Sequence, residues 1–95
     1  MDQQAPLERR ETYYAGTVQG VGFRHTCRQL AARFRVTGYV QNLPDGRVLL
    51  VAEGAAGELD RFLGAVEVAL AEHIRATTRT TLPAGGDFDQ FGVRY

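Results

Sequence analysis

Val36-Thr37-Gly38-Tyr39-Val40-Gln41-Asn42-Leu43-Pro44-Asp45-Gly46-Arg47-Val48-Leu49-Leu50-Val51-Ala52-Glu53 reads as two strands joined by a tight turn. Proline presets φ at the first corner, aspartate closes an Asx turn, and glycine tolerates the left-handed region. The β-branched and aromatic residues on either side place strands over 36–40 and 47–53, so residues 36–53 form a hairpin. Gly38 is the weak point of the first strand and marks close packing or a bulge.

Helical patterns flank this hairpin on both sides. Before it, Phe23, Cys27, Leu30, Ala31 and Phe34 recur at the spacing of one buried helix face, with Arg28, Gln29, Arg33 and Arg35 mostly off that face. After it, Gly54 to Gly57 breaks the chain, and Leu59, Phe62, Leu63, Val66 and Leu70 give a second amphipathic helix. Glu58 and Asp60 in its first turn complement the helix dipole. Further out, 11–18 suits a strand, and so does threonine-rich 74–82. Pro83-Ala84-Gly85-Gly86 is a loop, and Phe88, Phe91, Val93 and Tyr95 make a short terminal strand or an apolar tail sealing the core. The order is β-α-β-β-α-β plus a terminal strand, the split βαβ pattern. The expected fold is therefore ferredoxin-like α+β, an antiparallel sheet with right-handed crossovers and two helices on one face.

The chain has 95 residues, enough for one small domain, with 44% apolar residues and a formal charge of zero from 11 basic and 11 acidic side chains. Balanced charge gives no electrostatic footprint for a nucleic-acid backbone or an anionic membrane. Every basic residue is arginine and none is lysine, which excludes Schiff-base chemistry and a P-loop lysine. One cysteine, Cys27, excludes an internal disulfide, and with two scattered histidines it argues against a structural zinc site. No metal or cofactor is expected. No apolar run approaches a membrane span or signal-peptide core, and a cytoplasmic monomer is the default expectation. Residues 1–10 read as a polar, frayed tail, and 11–95 as the single domain.

One stretch carries chemistry: Gly16-Thr17-Val18-Gln19-Gly20-Val21-Gly22-Phe23-Arg24, a glycine-rich loop opening the first helix. Gly20 and Gly22 permit positive φ and close approach to the main chain. The first helical N–H groups lack intrahelical partners and carry the positive end of the dipole, so an anion, and a phosphate in particular, suits them. Arg24 adds a planar fork of donors. In the expected topology strands one and three are antiparallel neighbours, so this loop lies beside the hairpin turn and Asn42 lands at the same edge as Arg24.

Gly16-x-Val18-Gln19-Gly20-Val21-x-Phe23-Arg24, followed by Gly38-Tyr39-Val40-Gln41-Asn42-x-x-x-Gly46-x-Val48 and Gly54, resembles both signatures of the acylphosphatases, and the likeness runs from about Thr12 to Tyr95 in element order and length. The resemblance implies metal-independent hydrolysis of the carboxyl–phosphate anhydride of small acyl phosphates, giving a carboxylate and inorganic phosphate. By position, Arg24 matches the family's phosphate-binding arginine and Asn42 the asparagine that orients the attacking water. Gln19, Gly20, Val21, Gly22 and Phe23 match the loop whose backbone amides hold the phosphoryl oxygens. Two departures stand out: Tyr14, where an aliphatic residue is usual, should alter packing only, and Ala71-Glu72-His73-Ile74-Arg75 lacks the Gly-Pro often found before the fourth strand.

The chemistry agrees on separate grounds. A phosphoryl transition state asks for stabilised equatorial oxygens and an in-line nucleophile. The candidate site contains no obvious general acid or base, which suits a carboxylate leaving group because, with a pKa of roughly 4, it departs without a proton. A phosphomonoester would need an acid or a metal. Blander readings stand beside these: Arg24 as a helix-start surface residue, Asn42 as a turn cap, Cys27 as core packing, His25 and His73 as solvated positions, and Asp45 as a turn residue. Two rival functions are a non-catalytic module that binds an acyl or carbamoyl phosphate, and an RNA-binding sheet using Tyr39 and Phe23. The second lacks the RNP-type run and the basic charge.

Overall fold

The hairpin forms as the turn chemistry requires. In the computed structural model, which describes residues 7–95, β2 covers Thr37–Asn42 and β3 covers Val48–Ala55, antiparallel, with Asn42 opposite Val48. Leu43 N–H donates to Arg47 O at 2.8 Å and Gly46 N–H to Leu43 O at 3.1 Å. Asp45 accepts from the Arg47 backbone N–H at 3.1 Å, the aspartate turn expected there. At Gly38, φ is +137° and an added Cβ would stand 1.9 Å from the Val51 carbonyl oxygen. The weak point of β2 is therefore a place where two backbones touch.

The remaining elements are β1 (Leu7–Gly16), α1 (Phe23–Ala31), α2 (Ala56–Ala69), β4 (Ile74–Pro83) and β5 (Phe91–Arg94), and the sheet order is β4-β1-β3-β2-β5. The first four strands make the expected antiparallel ferredoxin-like sheet, but β5 pairs parallel with β2, so the complete sheet is mixed. The reason is geometric. β4 finishes at the end of the sheet where β2 begins, and residues 84–90 carry the chain across to the opposite edge, so β5 starts beside the start of β2.

That crossing loop is tied down on the face away from the helices. Glu53, 4% exposed, accepts from Gly85 N–H at 3.1 Å, Gly86 N–H at 3.0 Å and Arg9 at 2.8 Å. Arg9 also pairs with Asp87 at 2.7 Å and lies 5.2 Å from the Phe88 ring centroid. Burial pushes the Glu53 carboxyl up, but the Gly85 amide, Arg9 and the Gly86 amide outweigh it and hold the group below its ordinary value.

The tail expected over 1–10 is corrected from Leu7 onward; residues 1–6 lie outside the described residues. Leu7 to Arg10 pair with β3, and Glu8 to Arg10 also with β4, while Arg10 is buried beneath ion pairs to Asp60 of α2 at 2.7 Å and Glu8 at 2.9 Å. Alternating charges conceal a strand here because its inward-facing residue is an arginine with acidic partners. Other boundaries shift less. β1 stops at Gly16, where its register with β4 breaks, and Val18 still reaches the core. α1 stops at Ala31, and Phe34, in the turn beyond, still packs on Phe62 at 5.9 Å between ring centroids.

Both helices cover one face of the sheet. Cys27 and Ala31 of α1 and Leu59, Phe62 and Val66 of α2 meet Val40 and Leu50 in one core. Tyr14 enters it fully: its ring lies 5.3 Å from Phe23 and its hydroxyl donates to Glu67 of α2 at 2.6 Å. The departure at this position thus supplies an aromatic wedge with a satisfied polar tip. Phe91 and Val93 pack against the core, whereas Phe88 lies on the outer face against Tyr39 and Tyr95 is 96% exposed, so those two do not seal it.

Candidate active site

β1 and β3 are neighbours with Tyr14 opposite Val48, so the chain leaves β1 beside the β2–β3 turn. Residues 17–22 then bend back into α1. Gly20 and Gly22 both have φ of +79°, and Gly22 is the left-handed N-cap of the helix, with no side-chain cap. An added Cβ at either would meet nothing within 4 Å, so glycine is needed there for backbone conformation and the space above it is open. Thr26 N–H is the first in α1 to find an intrahelical acceptor, Gly22 O at 3.0 Å. The amides of Phe23, Arg24 and His25 precede it at the positive end of the dipole, and no acidic residue occupies the first turn.

A cleft of about 220 Å³ opens at this helix start, and Gly20, Gly22, Phe23, Arg24 and Asn42 all line it. Its volume is small beside pockets for drug-sized ligands, so it suits a small molecule. Val18 before the helix, His25 and Arg28 of α1, Val93 of β5 and Tyr95 just beyond it complete the wall, and no carboxylate side chain does. Arg24 is half-buried; its Nη1 donates to Arg94 O at 3.3 Å, and its guanidinium lies 4.7 Å from the Tyr95 ring centroid. Among the described residues no carboxylate side chain pairs with Arg24 or with Arg28. Asn42 Oδ1 is buried and has no hydrogen-bond partner. Buried acceptors are nearly always paired, so an unpaired one in a cleft wall asks for a ligand or a water.

Gln19 and Val21 do not line the cleft. Val21 is half-buried against the core. The Gln19 side chain turns toward the hairpin, where Nε2 donates to Leu43 O at 2.8 Å and to Arg47 O at 3.0 Å. One amide thus joins the glycine-rich loop to the turn that follows Asn42. The sequence pattern gives Gln19 a backbone role alone, since nothing in the spacing says which way its side chain points.

The blander readings of Cys27 and His25 hold. Cys27 is fully buried and burial pushes its thiol up to about 12, which leaves it a packing group with no thiolate to offer. His25 is exposed on the rim of the cleft. Phe23 is 2% exposed, and the Tyr39 ring carries the Arg94 guanidinium 3.6 Å from its centroid, so these rings do not form an open stacking platform.

Fold and cleft together define a ferredoxin-like domain with a small cleft lined by two arginines and no carboxylate side chain. Comparison with known proteins narrows the class. The family model described as Acylphosphatase matches residues 10–93, and the chain belongs to the acylphosphatase family. An acylphosphatase of Syntrophus aciditrophicus is 38% identical over 93 residues, 94% of each chain. One from Archaeoglobus fulgidus is 53% identical over 57 residues, which cover 60% of this chain and 64% of that protein. The crystal structure of acylphosphatase from Bacillus subtilis superposes with a TM-score of 0.79 at 30% identity, over 94% of this chain and 99% of that one. Full-length HypF, in its phosphate- and nucleotide-bound form, shares the fold at a TM-score of 0.82 and 21% identity, over 99% of this chain and 13% of its own. The family and fold matches support acylphosphatase activity, a hydrolase reaction. No helix among the described residues is long and apolar enough to cross a membrane.

Proposed function

We propose that this cleft hydrolyses the carboxyl–phosphate anhydride of small acyl phosphates without a metal, with Arg24 holding the phosphoryl group and Asn42 orienting water. The observation that carries the reading is the buried, unpartnered Asn42 Oδ1 in the same wall as Arg24 and the start of α1. Arg24 and the backbone amides around Gly20 to Phe23 bind the non-bridging oxygens, whose charge a phosphoryl transition state spreads over them. Asn42 Oδ1 accepts a hydrogen bond from a water and leaves the water's lone pair aimed at phosphorus. The water oxygen bonds to phosphorus as the bond to the acyl oxygen breaks. The bonding pair leaves with the carboxylate, and both water protons remain with the phosphate product.

Neither a general acid nor a Lewis acid is required at the leaving oxygen, because a carboxylate is stable as the anion. Arg24 and the amides supply the charge stabilisation a metal supplies elsewhere. The same reading takes the protein as a monomer acting in the cytoplasm.

The test is phosphate release from acetyl phosphate in EDTA, for the wild type, Arg24→Ala and Asn42→Ala. Turnover should persist in EDTA for the wild type. A lost transition-state donor costs about 3 kcal/mol, so each variant should fall by roughly a hundredfold or more. Arg24→Ala should also weaken inhibition by inorganic phosphate. A wild type that binds phosphate without turnover would make the domain a binding module, and activity abolished by EDTA would refute metal independence.

A further inference from the structure

The cleft holds one cation more than the proposed reaction uses. Arg28 stands four residues beyond Arg24 on α1, which puts the two side chains on one helix face with their Cα atoms about 6 Å apart along the axis. Both line the cleft, and Arg28 is exposed. Its other side borders a second hollow containing Asp89, yet among the described residues it forms no ion pair there. His25 lies on the same rim, and the cleft wall contains no carboxylate side chain to neutralise either arginine.

We infer that Arg28 selects acyl phosphates whose acyl group ends in a carboxylate, the half-activated dicarboxylic acids; this rests on the reading of the cleft as an acyl-phosphate site. With the phosphoryl group on Arg24, the acyl chain leaves the cradle through the open side of the cleft. A chain of a few carbons then brings a terminal carboxylate to Arg28. A guanidinium offers two parallel N–H donors to the two oxygens of one carboxylate, a match that no other free side chain in the wall provides. Uncharged acyl groups such as acetyl do not reach Arg28 and gain nothing from it.

The test measures dissociation constants by calorimetry for two non-hydrolysable probes, phosphonobutyrate and butylphosphonate, which share a phosphonate and differ in the terminal carboxylate. Wild type, Arg28→Gln and Arg28→Lys are compared, with acetyl phosphate hydrolysis measured alongside. The wild type should bind phosphonobutyrate roughly fivefold more tightly than butylphosphonate, the upper end of what an exposed charge pair delivers. Arg28→Gln should bring that ratio to about one, and Arg28→Lys should retain part of it, since it keeps charge without the planar fork. Equal binding of both probes by the wild type, or a preference that survives Arg28→Gln, overturns the inference while leaving the acyl-phosphate reading intact. If neither probe binds and acetyl phosphate is not hydrolysed, the reading of the cleft itself falls and the role of Arg28 falls with it.

Discussion

Among the described residues, Gln19 is the only side chain that bridges the glycine-rich loop and the β2–β3 turn by hydrogen bonds, and replacing it tests whether the two halves of the cleft are held as a unit. Gln19→Ala removes two hydrogen bonds, of 2.8 and 3.0 Å. Leu43 O keeps the Gly46 amide and Arg47 O keeps the Leu43 amide, so neither carbonyl is orphaned. The expected loss is therefore the net worth of two ordinary bonds, about 2 kcal/mol. For a domain of this size that lowers Tm by about 10 °C. With the turn released, Asn42 loses its fixed place relative to Arg24, and kcat for acetyl phosphate should fall tenfold or more, because even an ångström of misplacement is costly. Inhibition by inorganic phosphate, which tracks Arg24, should change much less. Gln19→Glu keeps the shape but sets a carboxylate against two carbonyl oxygens, so it should be less stable than Gln19→Ala at neutral pH. Disfavouring the charged form raises the folded-state pKa of this new carboxyl. Its penalty is thus full above that raised value and disappears below the unfolded one, and the variant should regain stability as pH falls. An unchanged Tm and kcat in Gln19→Ala would refute the bridge.

Two further outcomes follow from the rest of the fold. Glu53 has a folded-state pKa held below its ordinary 4.5, so the stability it contributes is complete above the unfolded value and is lost as pH falls through the folded one. Thermal melts across the acid range should show Tm dropping there, with a shallower drop in Glu53→Gln; identical acid limbs would dismiss the clasp. Gly38→Ala should lower Tm by at least about 15 °C, corresponding to roughly 3 kcal/mol or more, since the new Cβ meets the Val51 carbonyl at 1.9 Å. A near-native melt would mean that β2 and β3 separate freely at that point.

What the sequence discloses is whatever rests on local periodicity and turn chemistry. Pro44-Asp45-Gly46 closes its turn through contacts within a few residues, and the α2 stripe of Leu59, Phe62, Leu63 and Val66 is buried as its spacing requires. Arg24 and Asn42 could be placed together because the strand order follows from the element order, and that order fixes which strand ends are neighbours. What stayed hidden depends on distant partners. Arg10 passes for tail polarity until Asp60, 50 residues on, arrives to neutralise it. The direction of β5 is set by where the loop over Glu53 delivers the chain, and the Gln19 side chain finds its acceptors 24 and 28 residues away. Each of these depends on a partner far away in sequence.

The Glu53 clasp and the cleft occupy opposite ends of β3. Val48, opposite the residue where β1 approaches the cleft, and Glu53 are five residues apart, about 17 Å of extended chain. At that separation changes at the two ends combine additively. Selection can therefore retune how firmly the domain holds together by altering the partners of Glu53, provided the crossing loop still delivers Val93 and Tyr95 to the cleft wall. Conversely, it can trade residues around Arg28 to suit a new substrate without unsettling the fold. The two ends of one strand are in this sense separately heritable.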